Sequence, residues 1–219
     1  MPHTSSQILM VFLAAAGAYL LGSIPPGLFW SRIARGIDVR KVGSGRTGGT
    51  NVWRSAGFLP ALMTAISDGL KGAAAVWLAR ALGLSPWWMA AAGALAVVGH
   101  NYSLFLSFRG GAGTATSLGI AAVLWLPSLP ALLVAGIMAA GLVGHASVAS
   151  ISVALLLPTL FLIRGDVAAA VAFALPTMAL TIWALRPNII RLWKGKERFL
   201  PIFRDKPPLI RLSEHPAGE

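Results

Sequence analysis

The sequence predicts an all-α integral membrane protein with about seven transmembrane helices, its N-terminus outside and its C-terminus cytoplasmic. Three observations predict it. Of 219 residues, 56% are hydrophobic and only 11% are charged, with a mean hydropathy of +0.73; a soluble domain carries about 25% charged residues. Apolar runs recur along the chain, most of them near the roughly 20 residues that a helix needs to span hydrocarbon. The cations gather in alternate connections, as the positive-inside rule requires.

The elements follow in order. Residues 1–31 contain no Lys, Arg, Asp or Glu, and "ILMVFLAAAGAYLLGSIPPGLFW" (8–30) is the first apolar segment. The preceding "MPHTSSQ" has no basic n-region, so this is expected to be a retained helix rather than a secretory signal. The second segment, 57–83, is interrupted by Asp68 and Lys71, and the third spans 85–108. Residues 110–163 then run without a charge. That length exceeds one crossing, and "LPSLP" (126–130) with "GHASVAS" (144–150) divides it into three short segments. "VAAAVAFALPTMALTIWAL" (167–185) is the last. Residues 1–198 are expected to form one polytopic membrane domain, and 199–219 a short basic cytoplasmic tail.

Cation placement supports this count. Arg32, Arg35, Arg40, Lys41, Arg46 and Arg54 fall in the first connection, Arg109 falls in the third, and eight more follow residue 185. All lie on one side of a seven-crossing arrangement, which makes that side cytoplasmic. Only Arg80 and Arg164 fall opposite, and Lys71 lies within a segment. A formal charge of +11 on a soluble chain would suggest nucleic acid. Here topology and anionic headgroups account for it, so no nucleic-acid partner is expected.

Two stretches on the predicted cytoplasmic face carry the chemistry. "GSGRTGGTN" (43–51) and "FRGGAGTATS" (108–117) are glycine-rich, and each leads into a helix. Glycine lets backbone N–H groups converge, and a helix N-terminus adds positive potential, so together they suit phosphate. Arg46, Arg54 and Arg109 add charge-assisted donors. Neither loop is a P-loop, because no "GKS" or "GKT" follows. The competing explanation is close helix packing through glycine; two such loops with arginines on one face favour phosphate. A third polar patch is "SVAS" (147–150).

Asp68 and Lys71 stand three apart and share a helix face. They fit either a structural ion pair near the cytoplasmic end of the second segment or a direct substrate contact. His100 is expected to bond a neighbouring carbonyl. With no cysteine and scattered histidines, no metal site, thiolate nucleophile or cofactor is expected.

The ordered set "GSIPPG" (22–27), "GIDVRKVGSGRTGGTNVWRSAG" (36–57), "DGLKGAAAV" (68–76), "GHNYSLFLSFRGGAGTATSLG" (99–119), "SVASI" (147–151) and "NIIRLWKGKER" (188–198) resembles the bacterial acyl-phosphate:glycerol-3-phosphate acyltransferase (PlsY) family. The resemblance implies a seven-helix enzyme of the bacterial inner membrane with a site facing the cytoplasm. It implies acyl transfer from acyl phosphate to the sn-1 hydroxyl of glycerol 3-phosphate, giving lysophosphatidic acid for phospholipid synthesis. Acyl phosphate, glycerol 3-phosphate and the lipid bilayer are the implied partners. By the same resemblance Ser44, Gly45, Thr50, Asn51 and Ser147 line the acyl-phosphate pocket, and Arg54, Asn188 and Glu197 match further polar positions. Arg46, Arg109, Gly110 and Gly111 complete the expected substrate-binding set. No residue is expected to be a covalent catalyst, because acyl phosphate is already activated and proximity with charge stabilisation suffices.

The chain departs from the family pattern at four places. Arg46 stands where asparagine is usual, Gly49 for alanine, Ala112 for lysine, and Leu185 for histidine. The second-loop cation is thus expected to have moved to Arg46 in the first loop. The alternatives to the acyltransferase are a transporter or channel for a phosphorylated anion, and a catalytically degenerate relative.

Overall fold

A computed structural model describes residues 5–203 and 208–210. The described residues form an all-helical bundle: α1 (Ser5–Ser23), α2 (Pro26–Arg35), α3 (Gly49–Ala56), α4 (Phe58–Ala81), α5 (Pro86–Asn101), α6 (Thr114–Leu124), α7 (Ser128–Val143), α8 (Ala146–Ile163) and α9 (Leu175–Trp193). A π-helical stretch, Ala169–Ala174, runs directly into α9. Among the described residues, four stretches are long and apolar enough to cross a membrane: Ser5–Arg35, Pro86–Leu106, Ala146–Ile163 and Ala169–Trp193.

The first predicted segment is broken rather than continuous. Pro25 and Pro26 supply no N–H, so α1 stops at Ser23 and a new helix starts with Pro26 in its first turn. Lys71 donates to the stranded carbonyl of Ile24 at 2.7 Å. The uncharged run of 110–163 divides at Pro127 and at Gly144–His145; the rest of the polar "GHASVAS" belongs to the first turns of α8.

Small residues set the packing. A methyl group at Gly119 would overlap the Gly69 carbonyl, so α6 lies backbone-to-backbone on α4. Between helices in lipid, such close approach replaces the hydrophobic driving force available in water. Ala14, Ala18, Ala75, Ala90 and Ala96 form much of the core, with Phe161, Phe173, Ile120 and Leu132 filling the wider gaps. Large apolar side chains such as Phe12, Leu70, Ile137 and Leu155 face outward.

One consequence positions the site. α6 has 11 residues, about 16 Å at the usual rise, and its first turns meet α4 at Gly69 and Gly72. Its N-terminus is therefore recessed to the level of Asp68. The N-terminal half of α4 extends past it, leaving a hollow. Asp68 accordingly sits in the middle of α4, not near the end as the sequence suggested.

Candidate functional site

The hollow is a cavity of about 430 Å³. Its polar end begins at the first glycine loop. Asp38 receives Arg40 through backbone and side chain, and these bonds hold its carboxyl well below the usual carboxylate range. Gly45 turns the chain at φ +71, a left-handed conformation that suits glycine. The Asn51 side chain then staples the loop. Its amide donates to the carbonyls of Val39, Val42 and Arg46 at 2.9–3.0 Å, and its oxygen accepts from the Ser44 N–H at 3.1 Å.

The second loop folds back over the end of α5. The Gly110 and Gly111 N–H groups donate to the carbonyls of Asn101 and His100 at 3.0 and 3.1 Å. A methyl at 110 would overlap the His100 carbonyl, and one at 111 would overlap His100 Nε2. These two glycines serve close backbone approach, and their N–H groups are already spent. The donors that remain are those opening α6, because a helix leaves its first N–H groups without an internal acceptor.

Three helix N-termini converge on the cavity. It is lined by Gly48, Gly49 and Thr50 at the start of α3, by Gly113, Thr114 and Ala115 at α6, and by Ala146 and Ser147 at α8. Each carries roughly +0.5 of an elementary charge. Arg46 and Arg54 lie in the same wall. The Arg46 guanidinium donates to the carbonyl of Ala184, beside Leu185. Arg54 Nη2 donates to the carbonyls of Arg198 and Phe199 at 3.1 and 3.2 Å, while its Nε is buried without a partner. Thr114 Oγ1 is likewise buried and unpartnered. Burial pulls both guanidinium groups below their ordinary range, and the neighbouring Glu197 carboxylate opposes that shift.

Both carboxylates at the cavity are already paired. Asp68 Oδ1 lies 2.8 Å from Lys71 Nζ and 3.2 Å from His100 Nδ1. Glu197 accepts from Arg191 and from Asn188 at 2.7 Å each, with Ser147 Oγ at 3.5 Å. Among the described residues, Arg46 and Arg54 therefore contribute two uncompensated positive charges. Much of the remaining wall is apolar, lined by Ala61, Leu62, Ala65, Leu118, Leu132, Leu133 and Val153. Leu62 and Leu133 remain 42% and 41% exposed, so this wall is not sealed.

Of the residues expected from sequence, Ser44, Arg46, Thr50, Asn51, Arg54, Gly111, Ser147, Asn188 and Glu197 line this one cavity. Three do not. Gly45 is a turn residue behind Ser44, Gly110 lies against the α5 terminus, and Arg109 is exposed outside the cavity. Asn51 lines it, but its polar atoms are committed to the loop. His100 Nδ1 faces the Asp68 carboxylate at 3.2 Å rather than a neighbouring carbonyl. Thr114, Asp68, His100, Leu185 and Ala112 also border the cavity. Thr114 carried a signal, since it follows the last glycine and opens an apolar run. The segment after α9 is not free: Leu200 N–H donates to the Gly144 carbonyl, Phe199 stacks on His145, and Ile210 N–H bonds the Leu142 carbonyl. The tail cations Arg204, Lys206 and Arg211 lie outside the described residues.

The family model for glycerol-3-phosphate acyltransferase matches residues 12–195. Glycerol-3-phosphate acyltransferase 1 of Deinococcus radiodurans is 46% identical over 192 residues, covering 88% of this chain and 96% of that protein. A glycerol-3-phosphate acyltransferase of Thermus thermophilus is 44% identical over 192 residues, 84% of this chain and 92% of its own. The crystal structure of PlsY, an integral membrane glycerol 3-phosphate acyltransferase, superposes in its glycerol 3-phosphate form with a TM-score of 0.81 at 31% identity, covering 86% of this chain and 94% of that one. The lysophosphatidic acid form gives 0.76 at 30% identity, with the same coverage. Matched across most of its length in sequence and in fold, this chain belongs to the glycerol-3-phosphate acyltransferase family.

Proposed function

We propose that this protein transfers a fatty acyl group from acyl phosphate to the sn-1 hydroxyl of glycerol 3-phosphate, releasing lysophosphatidic acid and inorganic phosphate. One observation carries the reading. A single cavity gathers three helix N-termini, two arginines that form no ion pair among the described residues, and a largely apolar remaining wall. A phosphate monoester brings about −1.5 to −2 charges. Two of them face two arginines and helix termini worth roughly another +1.5. The acyl chain lies in the cleft between α4, α6, α7 and α8.

The chemistry needs no covalent enzyme intermediate. The acceptor oxygen attacks the acyl carbon, a C–O bond forms, the C–OP bond breaks, and the hydroxyl proton leaves with the departing phosphate. Held side by side, the substrates react as one molecule does with itself, which is worth roughly 7–11 kcal/mol for ideal alignment. Arg46, Arg54 and the α3, α6 and α8 N–H groups neutralise charge on the leaving phosphate. Ser147 lines the acyl-phosphate part of the cavity beside the α8 N-terminus, the Asn188–Glu197–Arg191 group borders the same space, and Asn51 keeps the first loop in shape. Seven helices, α1 and α4 to α9, cross the bacterial inner membrane with the N-terminus outside and the polar end of the cavity toward the cytoplasm. The split of cations between the two sides supports that orientation.

The test is a cell-free assay of purified protein with labelled glycerol 3-phosphate and palmitoyl phosphate. Lysophosphatidic acid and phosphate should appear one to one, and palmitoyl-CoA should not substitute. No product from palmitoyl phosphate would sink the proposal.

A further inference from the structure

Asp68, Lys71 and His100 form a buried cluster that the acyl transfer described above does not use. Asp68 is 1% exposed and His100 6%. The cluster spans two helix junctions. Lys71 ties α4 to the Ile24 carbonyl at the proline break, and Asp68 joins Lys71 to the imidazole at the end of α5. Both Asp68 and His100 border the cavity.

The second glycine loop is laid across His100. Gly111 receives cover from the imidazole edge on one side, and its N–H bonds the His100 carbonyl on the other. Three residues later the chain enters α6, whose first turn lines the polar end of the cavity. The loop also contains two consecutive non-glycine residues in the left-handed region, Ser107 at φ 51 and Phe108 at φ 60. Residues in that region persist when their surroundings hold them. Here the hold is the α5 terminus: Phe108 N–H bonds the Ser103 carbonyl, and Gly110 and Gly111 bond Asn101 and His100. The ring's other edge is fixed by Asp68, and the bond made at one ring nitrogen sets the orientation of the other.

We propose that His100, anchored by Asp68, is a positioning residue that fixes the second glycine loop and so aims the α6 N-terminus at substrate phosphate. It acts through the loop and takes no proton from substrate. The inference rests on the cavity being a phosphate site, as the proposed function has it.

The experiment compares His100→Ala and His100→Asn in the purified full-length protein. An asparagine amide can take the place of Nδ1 and keep the bond to Asp68 without supplying a base. Two measurements are made: steady-state kinetics with palmitoyl phosphate and glycerol 3-phosphate, and amide hydrogen exchange across residues 107–117. His100→Ala should raise KM for a phosphate substrate by about tenfold or more, leave kcat within about threefold, and speed exchange in this loop selectively. His100→Asn keeps a donor toward Asp68 but has no atom at the Nε2 position against Gly111, so KM and exchange should stay shifted as in His100→Ala while kcat stays within about threefold of the parent. Unchanged KM and exchange in His100→Ala, or a kcat loss above about tenfold in His100→Asn, overturns the proposal. If His100→Ala does not fold, the asparagine variant carries the test by the same limits. A parent inactive toward palmitoyl phosphate would count against the proposed function, while the exchange measurement would still decide the positioning role.

Discussion

Arg46 and Ala184 are bonded across the cavity, guanidinium to carbonyl, although 138 positions separate them in the chain. The side chain of a loop residue thereby reaches the wall made by α9, next to Leu185. Ala112 lines the same cavity. The cation absent from the second glycine loop and the arginine present in the first thus face one space.

Arg46→Asn should raise the substrate KM strongly or abolish turnover. Adding Ala112→Lys to that variant should recover kcat/KM to within about tenfold of the parent, or roughly 1.4 kcal/mol. Steady-state kinetics of the three proteins check this. An Arg46→Asn enzyme with parental kinetics would rule out a substrate role for Arg46.

Arg54 bridges to the Arg198 and Phe199 carbonyls through Nη2 and leaves Nε buried and unpaired at the cavity. Lysine keeps the charge but cannot serve both sides at once, because it lacks the planar fork. Arg54→Lys should lower kcat/KM by about 10- to 100-fold, some 1.4–2.7 kcal/mol. A change below about threefold would mean that charge alone is required there.

The Asp68–Lys71 pair is buried, with side chains 2% and 6% exposed. Removing one partner of such a pair costs about 3–5 kcal/mol, because the other charge is stranded. Asp68→Ala should therefore melt at a lower temperature than the Asp68→Ala/Lys71→Ala double variant. Equal melting in detergent would argue that Lys71 is satisfied by the Ile24 carbonyl alone.

Orientation is checked with single cysteines, since the chain has none of its own. Lys41 and Ser85 are both exposed, Lys41 in the connection that precedes α4 and Ser85 in the one that follows it. Lys41→Cys should react with an impermeant maleimide only in inside-out vesicles, and Ser85→Cys only in right-side-out ones. Labelling from one side alone would contradict the proposed topology.

The apolar runs by themselves determined an all-helical membrane protein, because a backbone without water must bond internally. They also placed the breaks at Pro127 and Gly144, where chain chemistry is local. The glycine and arginine pattern, with the ordered motifs, pointed to a phosphate site and to the family. Local pattern could not say which donors were free. Gly110 and Gly111 look like phosphate ligands in sequence, yet their N–H groups cap α5, and Arg109 beside them is exposed and not among the cavity-lining residues. Nor could it show that Pro25 and Pro26 strand a carbonyl which Lys71, 46 positions beyond Pro25, would bond. Asp68 and His100 stand 32 positions apart and meet only because α4 and α5 pack together. The recess itself is a tertiary property: α6 starts at the level of Asp68 because Gly69 and Gly119 let two backbones touch, and the space left beside α4 becomes the site.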